Sequence, residues 1–363
     1  MSTIINATTT NGVVIQPDNS GSLVLQTNNG TTALTIDTSQ NVTLAGTLAM
    51  SSSFLRNRII NGDMRIDQRV AGTVTLDTNS RFIVDRFFAE DDSDATVTAV
   101  QSTTAPTDFV NSMLFTVTTA DSSIAAGQNC TIRHFIEGLN VADLGWGTAN
   151  AKTITLSFWV RSSVTGTYSG SLSNSAGNRG YIFNYSISTA NTWEQKSVTI
   201  AGDTTGTWLT TNGVGIRIYW NLGAGSNFLG TAGAWGSSLL LGSTGSVQLI
   251  STLNATFYIT GVQLEIGTSA TPFERRLYNQ ELANCQRYFE ISGANQTVAM
   301  AASSRFPAYF SVTKRTAPTM VYTFAAGTNT VTIESPTVSG FRFFTTGSVA
   351  TPCEFTWTAS AEL

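Results

Sequence analysis

One histidine, His134, stands in 363 residues, and that scarcity removes whole classes of chemistry. A Ser-His-Asp or Cys-His site would have to recruit it, yet it sits in the strand-like run TIRHFIEG on the face of Ile132 and Ile136, where a core position is expected. No G-x-S-x-G turn, zinc-ligand spacing or G-x-x-x-x-G-K-[ST] phosphate loop occurs. Charge is scarce too, at 12% of residues against a usual quarter or so. A formal net charge of -4 offers no basic field for phosphates, so neither nucleic acid nor an acidic membrane surface is expected as a partner. No run approaches the roughly 20 apolar residues of a membrane helix. The opening MSTIINATTTNG lacks the regions of a signal peptide, so a chain made in a cytoplasm is expected. Cys130, Cys285 and Cys353 are odd in number and far apart. They indicate no disulfide framework and no metal site, and are expected reduced and buried. No cofactor and no metal is expected.

What is present points to β-structure. Apolar residues make up 41% and aromatic residues 10%, enough for real cores, while Ser, Thr, Asn and Gly fill the polar positions in strings such as QTNNGTT and SNSAGN. The length suits two or three domains. Up to residue 50 or so, short runs (GVVIQP, GSLVLQTNNG, TTALTID, QNVTLAG) cannot build a core from one copy. Their apolar positions Val13, Ile15, Leu23, Leu25, Leu34, Ile36, Val42 and Leu44 would bury if three copies wrapped about one axis; a disordered arm is the alternative. The segment after Arg56 interleaves Arg56, Arg58, Arg65, Arg69, Arg81 and Arg86 with Asp63, Asp67, Asp77 and Asp85. Charge-assisted pairs locking loops are expected there, with an anion clamp as the alternative. From 82 to 270 strand-like runs follow one another. In TITLSFWVR, Ile154, Leu156, Phe158 and Val160 share one face. Such strands with Gly-rich turns and no intervening helices make a two-sheet sandwich or jelly roll. FERRLYNQELANCQRYFEI spaces Tyr278, Leu282, Cys285 and Phe289 as one helical stripe, about five turns long, lying on its own domain or seaming a coiled coil. A smaller β domain follows.

Glycan cleavage needs two carboxylates, for which Asp91, Asp92 and Asp94, or Glu137 with Asp143, are available, although clustered aspartates more often form a solvated turn. Glycan binding needs flat aromatic faces, and Trp208, Tyr219, Trp220 and Trp235 lie in or beside loops where a sugar ring could stack. Alternation sends Tyr219 and Trp220 to opposite faces, so at most one is expected in the core.

NRIINGDMRIDQR (57–69), TIRHFIEGLNVADLGWGTANAKTITLSFWVRSS with TWEQKSVTIAGDTTGTWLTTNGVGIRI, and ATFYITGVQLEIGTSATPFERRLYNQELANCQRYFE (255–290) together resemble a recurrent module of phage tail fibre and virion appendage proteins. The resemblance covers about 54 to 290, and the closing FYITGVQLE is similar to the last strand of carbohydrate-binding jelly rolls. It implies an all-β chain. The expected parts are an N-terminal β-strand segment for virion attachment and trimerisation (1–53), a jelly-roll β-sandwich (54–274), a connecting helix (275–292) and a C-terminal β tip domain (293–363). It further implies a homotrimeric structural subunit in the virion, made in the host cytoplasm, held to other virion proteins by its N-terminal segment and adhering to bacterial surface glycan without an enzymatic role. An appendage-borne depolymerase and a purely structural spacer or adaptor are the alternatives.

Overall fold

The computed structural model describes residues 21–27, 31–40, 42–44, 56–69, 72–79, 81–293, 296–299, 304–326, 330–346 and 352–363. The chain forms two compact units, 1–54 and 55–363. In the first, β1 (Leu23–Thr27), β2 (Thr31–Ile36) and β3 (Val42–Leu44) make an antiparallel meander. Leu23 pairs with Ile36, Ile36 with Val42, and Leu25 with Leu34, so the alternating apolar positions line up across the strands. Within one chain that row stays open, with Leu25 45% and Val42 61% exposed. Val13 and Ile15 lie outside the described residues.

The second unit begins with β4 (Val74–Thr75), β5 (Arg81–Val84), β6 (Phe87–Asp91), β7 (Thr96–Ser102), β8 (Ser112–Thr119) and β9 (Asn129–Glu137). It continues with β10 (Ile154–Ser162), β11 (Gly166–Ser173), β12 (Gly180–Ile187), β13 (Glu194–Ile200) and β14 (Val214–Ala224). The two-residue strands β15 (Leu229–Gly230), β16 (Trp235–Gly236) and β17 (Gly242–Ser243) precede β18 (Thr256–Ile266). One sheet runs β13-β10-β18-β8-β7-β4 and the other β16-β12-β11-β14-β9-β6-β5. From β4 to β14 the chain changes sheet between β4 and β5, β6 and β7, β8 and β9, β9 and β10, β10 and β11, β12 and β13, and β13 and β14, the crossing habit of a jelly roll. Inward residues alternate as the sequence predicts: Ile154, Leu156, Phe158 and Val160 from β10 meet Ile216, Ile218, Trp220 and Leu222 from β14, all fully buried. Burying each large side chain stabilises by about 1.5–3 kcal/mol.

β18 departs from simple alternation. Ser157 faces Gln263 and Trp159 faces Thr260, so Gly261 and Val262 together oppose Phe158. Gly261 has φ +62°, the conformation of a glycine-initiated β-bulge. The inserted residue shifts parity, allowing Phe257 and Ile259 before it and Val262 and Leu264 after it all to face the core.

The arginine-rich segment is a lacing of polar groups. Arg65 pairs with Asp63, Arg69 with Asp85 (3.0 Å) and Arg81 with Asp77, as expected. Other partners lie far off in sequence: Arg58 reaches Asp143 (2.7 Å), and Arg69 and Arg86 both bind Glu362. Asn57 ties the segment to β18 by donating to the Val262 carbonyl (3.1 Å) and accepting from the Leu264 amide (3.1 Å).

The helix α1 (Tyr278–Gln286) is shorter than its spacing implies. Phe289 already belongs to β19 (Phe289–Ile291), and the expected stripe is divided. Cys285 is buried with Ile60, Ile66 and Tyr288, whereas Tyr278 is exposed. The helix packs on its own unit. Beyond it come β20 (Gln296–Ala299), β21 (Ser304–Tyr309), β22 (Thr319–Ala326), β23 (Thr330–Glu334), β24 (Gly340–Thr346) and β25 (Pro352–Ser360). They enclose a separate small core of Phe310, Phe341, Phe343, Phe355 and Trp357. Buried Glu137 fastens this part to the sandwich through Arg287 (2.6 and 2.9 Å) and Tyr288 Oη (2.7 Å). Cys130 and Cys285 are free and buried; the Cys353 side chain lies outside the described residues.

Candidate functional site

Two of the four aromatic candidates are withdrawn from solvent. Trp220 is fully buried between the sheets, its ring 6.3 Å from Phe87 and 5.9 Å from Phe158. Tyr219 points the other way but is also buried, 3% exposed, against Phe135 and Arg133. Both faces of β14 are covered here, which corrects the expectation that only one of the pair is enclosed. Trp208 and Trp235 are half-buried and meet edge to face at 5.4 Å. Trp146, absent from the sequence candidates, completes the cluster at 4.7 and 5.3 Å. Each indole N–H of this three-ring cluster is engaged: Trp146 donates to the Lys152 carbonyl, Trp235 to the Ala201 carbonyl (2.8 Å each), and Trp208 to Asp203 (3.3 Å). Burial raises the Asp203 carboxyl, but bidentate Arg179 and the Thr205 bonds outweigh it and hold the group below its usual value. The three indoles therefore pack one end of the sandwich, beside a recess of about 190 Å³ lined by Val141, Leu144 and Ile216.

A larger opening, of about 850 Å³, lies on the outer face of the β13-β10-β18 edge. Its floor is Trp159, which stands on the outward face of β10 opposite Gln195 and Thr260. Asp108 and Phe109, between β7 and β8, and Pro272, Phe273 and Arg275, beyond β18, form its walls. Phe109 and Phe273 meet edge to face at 5.2 Å. Arg275 lies over both rings, 4.7 Å from Phe109 and 5.8 Å from Phe273, and donates to the Asp108 carbonyl. Gly261 makes the floor possible: a Cβ there would sit 2.8 Å from Phe109 Cζ and 2.9 Å from Trp159 Cδ1. The bulge glycine thus lets two rings close over the strand. Exposed Gln195 and Ser197 add an amide and a hydroxyl beside the indole. The volume falls in the range of ligand-binding clefts, about 300–1,000 Å³.

The titratable candidates are otherwise occupied. His134 is buried with its ring 4.5 Å from Phe87; burial and then the Arg86 charge hold the imidazole well below its usual range, hence neutral. Glu137 is buried and bonded by Arg287 and Tyr288, and half-exposed Asp143 pairs with Arg58. Asp91 folds its carboxylate onto Ser93, and Asp92 accepts from Asn129. Among the described residues no group of three or more His, Cys, Asp or Glu is placed to hold a metal ion.

No family model matches the sequence, and no curated protein matches it. Among solved structures the chain is similar to the enzymatically active domain of bacteriophage CBA120 tailspike protein 4: it is 13% identical, covers 58% of this chain and 21% of that one, and has a TM-score of 0.31. It is also similar to TmCBM61 in complex with beta-1,4-galactotriose, at 11% identity, 58% and 99% coverage and a TM-score of 0.30. The family 11 carbohydrate-binding module of Clostridium thermocellum, in complex with a beta-1,3-1,4-mixed-linked tetrasaccharide, gives 10% identity, 55% and 98% coverage and a TM-score of 0.28.

Proposed function

We propose that this chain is a structural subunit of a bacteriophage tail appendage that adheres to its host by binding surface glycan in the cleft over Trp159. The observation that carries the reading is the cleft itself: an indole face flanked by Phe109 and Phe273, with Gln195 and Ser197 at its edge. The C–H face of a sugar ring stacks on such a surface while amide and hydroxyl groups bond to its hydroxyls. One such contact is weak, and adhesion comes from several copies on one particle. The appendage assignment draws on the module resemblance of residues 54–290. The open apolar row of β1–β3 supports a homotrimer, because two further copies would cover Leu25 and Val42.

The test is electrophoresis of the purified chain through gels containing host surface polysaccharide, together with phage adsorption. Retardation by the polysaccharide is expected, and Trp159→Ala should abolish it. A Trp159→Ala protein that melts normally, is retarded normally and adsorbs normally would overturn the site. A chain beginning at residue 55 should remain soluble and fail to enter particles; normal incorporation would refute the attachment role of the first unit.

A further inference from the structure

We infer that the ligand of this cleft is an acidic glycan whose carboxylate or phosphate groups are taken by Arg275 and, farther along the same sheet face, by Arg161; this deepens the glycan reading above and rests on it. Arg275 is exposed, and among the described residues it forms no ion pair. Its guanidinium is held over the Phe109 and Phe273 rings with one N–H spent on the Asp108 carbonyl. Arg161 is held in the same manner: its guanidinium lies 5.0 Å from the Tyr258 ring, Nε donates to the Asn191 carbonyl at 2.8 Å, and Trp193 meets Tyr258 edge to face at 5.9 Å. No ion pair involves it among the described residues either.

Many arginines elsewhere are neutralised, as Arg179 is by Asp203, Arg276 by Glu281 and Arg287 by Glu137, whereas Arg217, Arg315 and Arg342, like Arg161 and Arg275, are in no ion pair among the described residues. On this face two forks are fixed by neutral groups, rings and carbonyls, which orient a guanidinium without cancelling its charge. A pre-oriented fork with free N–H donors suits a planar carboxylate or a phosphate. Trp159 and Arg161 stand two residues apart on one face of β10, about 7 Å along the strand, so a glycan chain with one ring stacked on Trp159 can extend along the strand toward Arg161. The only acidic residue in the cleft lining is Asp108; Lys196 there is paired with Glu194, and Arg275 is the one cation of the lining outside an ion pair.

The experiment uses the full chain in affinity gels containing polygalacturonate, alginate or phosphomannan, each beside its carboxyl-reduced or dephosphorylated counterpart, at low and high salt. The expected result is retardation by at least one acidic polymer, about tenfold weaker with its neutral counterpart, the gap closing as salt screens it. Arg275→Gln should lower the acidic affinity to the neutral level with an unchanged melting temperature, whereas Trp159→Ala should weaken both. The uronate and phosphomannan arms tell which acid is read. Equal retardation by acidic and neutral polymers, or acid-selective retardation that survives Arg275→Gln, overturns the inference and leaves glycan binding standing. Retardation by none of the polymers counts against both.

Discussion

Gly261→Ala tests the cleft at its narrowest point. Alanine at φ +62° carries the left-handed penalty of about 1–2 kcal/mol, which in a unit of this size lowers Tm by about 2–6 °C. The added methyl would lie 2.8 Å from Phe109 and 2.9 Å from Trp159, so restoring about 3.5 Å between carbons moves each ring by about 0.6–0.7 Å. Losing one well-stacked ring is worth on the order of 1 kcal/mol, or about fivefold in monovalent affinity, and in a three-site assembly about a hundredfold in adsorption. Calorimetry gives the first number, and affinity electrophoresis with phage adsorption gives the second. Gly245→Ala is the control, because Gly245 has φ +82° and nothing within 4 Å of its Cβ position; it should show the strain without the binding loss. The reasoning fails if Gly261→Ala melts lower yet binds like the parent, or if Gly245→Ala loses binding equally.

Trp220→Ala should cost roughly 3–5 kcal/mol and unfold or aggregate the sandwich, whereas Trp235→Ala should fold with a lowered Tm and unchanged retardation by glycan, both read by calorimetry beside the gel assay. Burial, opposed by Arg69, raises the Asp85 carboxyl to about 6, so the native state holds that proton more tightly than the unfolded chain. Its contribution is greatest below pH 4 and declines by about 3 kcal/mol as pH rises to 6 and above; denaturation of Asp85→Asn across pH 4–7 should lack that slope. Leu25→Lys with Val42→Lys should turn the proposed trimer into a monomer by light scattering while leaving the main melting transition in place.

Much of the fold was legible in the sequence because alternation is a local signal. The run at Ile154, Leu156, Phe158 and Val160 predicts its own buried face, and His134 falls in the core with Ile132 and Ile136. The bulge was written there too, as a parity slip from Phe257 and Ile259 to Val262 and Leu264 around a glycine, but alternation alone does not say which ring the glycine admits. Tyr219 and Trp220 show where the signal stops: opposite faces were correctly implied, yet both are covered, because Phe135 and Arg133 lie over the outer one. The cleft was illegible for a related reason. Asp108 and Arg275, which bond across the cleft, are 167 positions apart, and only the pairing of β18 with β8 and β10 brings their loops together. The helix read too long because Phe289 kept the helical spacing while its backbone had joined β25.

The Glu362 latch has a consequence for synthesis. Its carboxylate joins Arg86 and Arg69 across 276 and 293 residues, among the longest separations the fold closes. At ribosomal rates of about 5–20 residues per second, the arginines emerge roughly 15 to 55 s before their partner. During that interval the nascent chain must wait with an unfinished seam, a period when exposed strand edges invite aggregation. A seam closed by ions is better suited to waiting than one closed by leucines. Guanidinium groups can stay hydrated until Glu362, just beyond β25, is made.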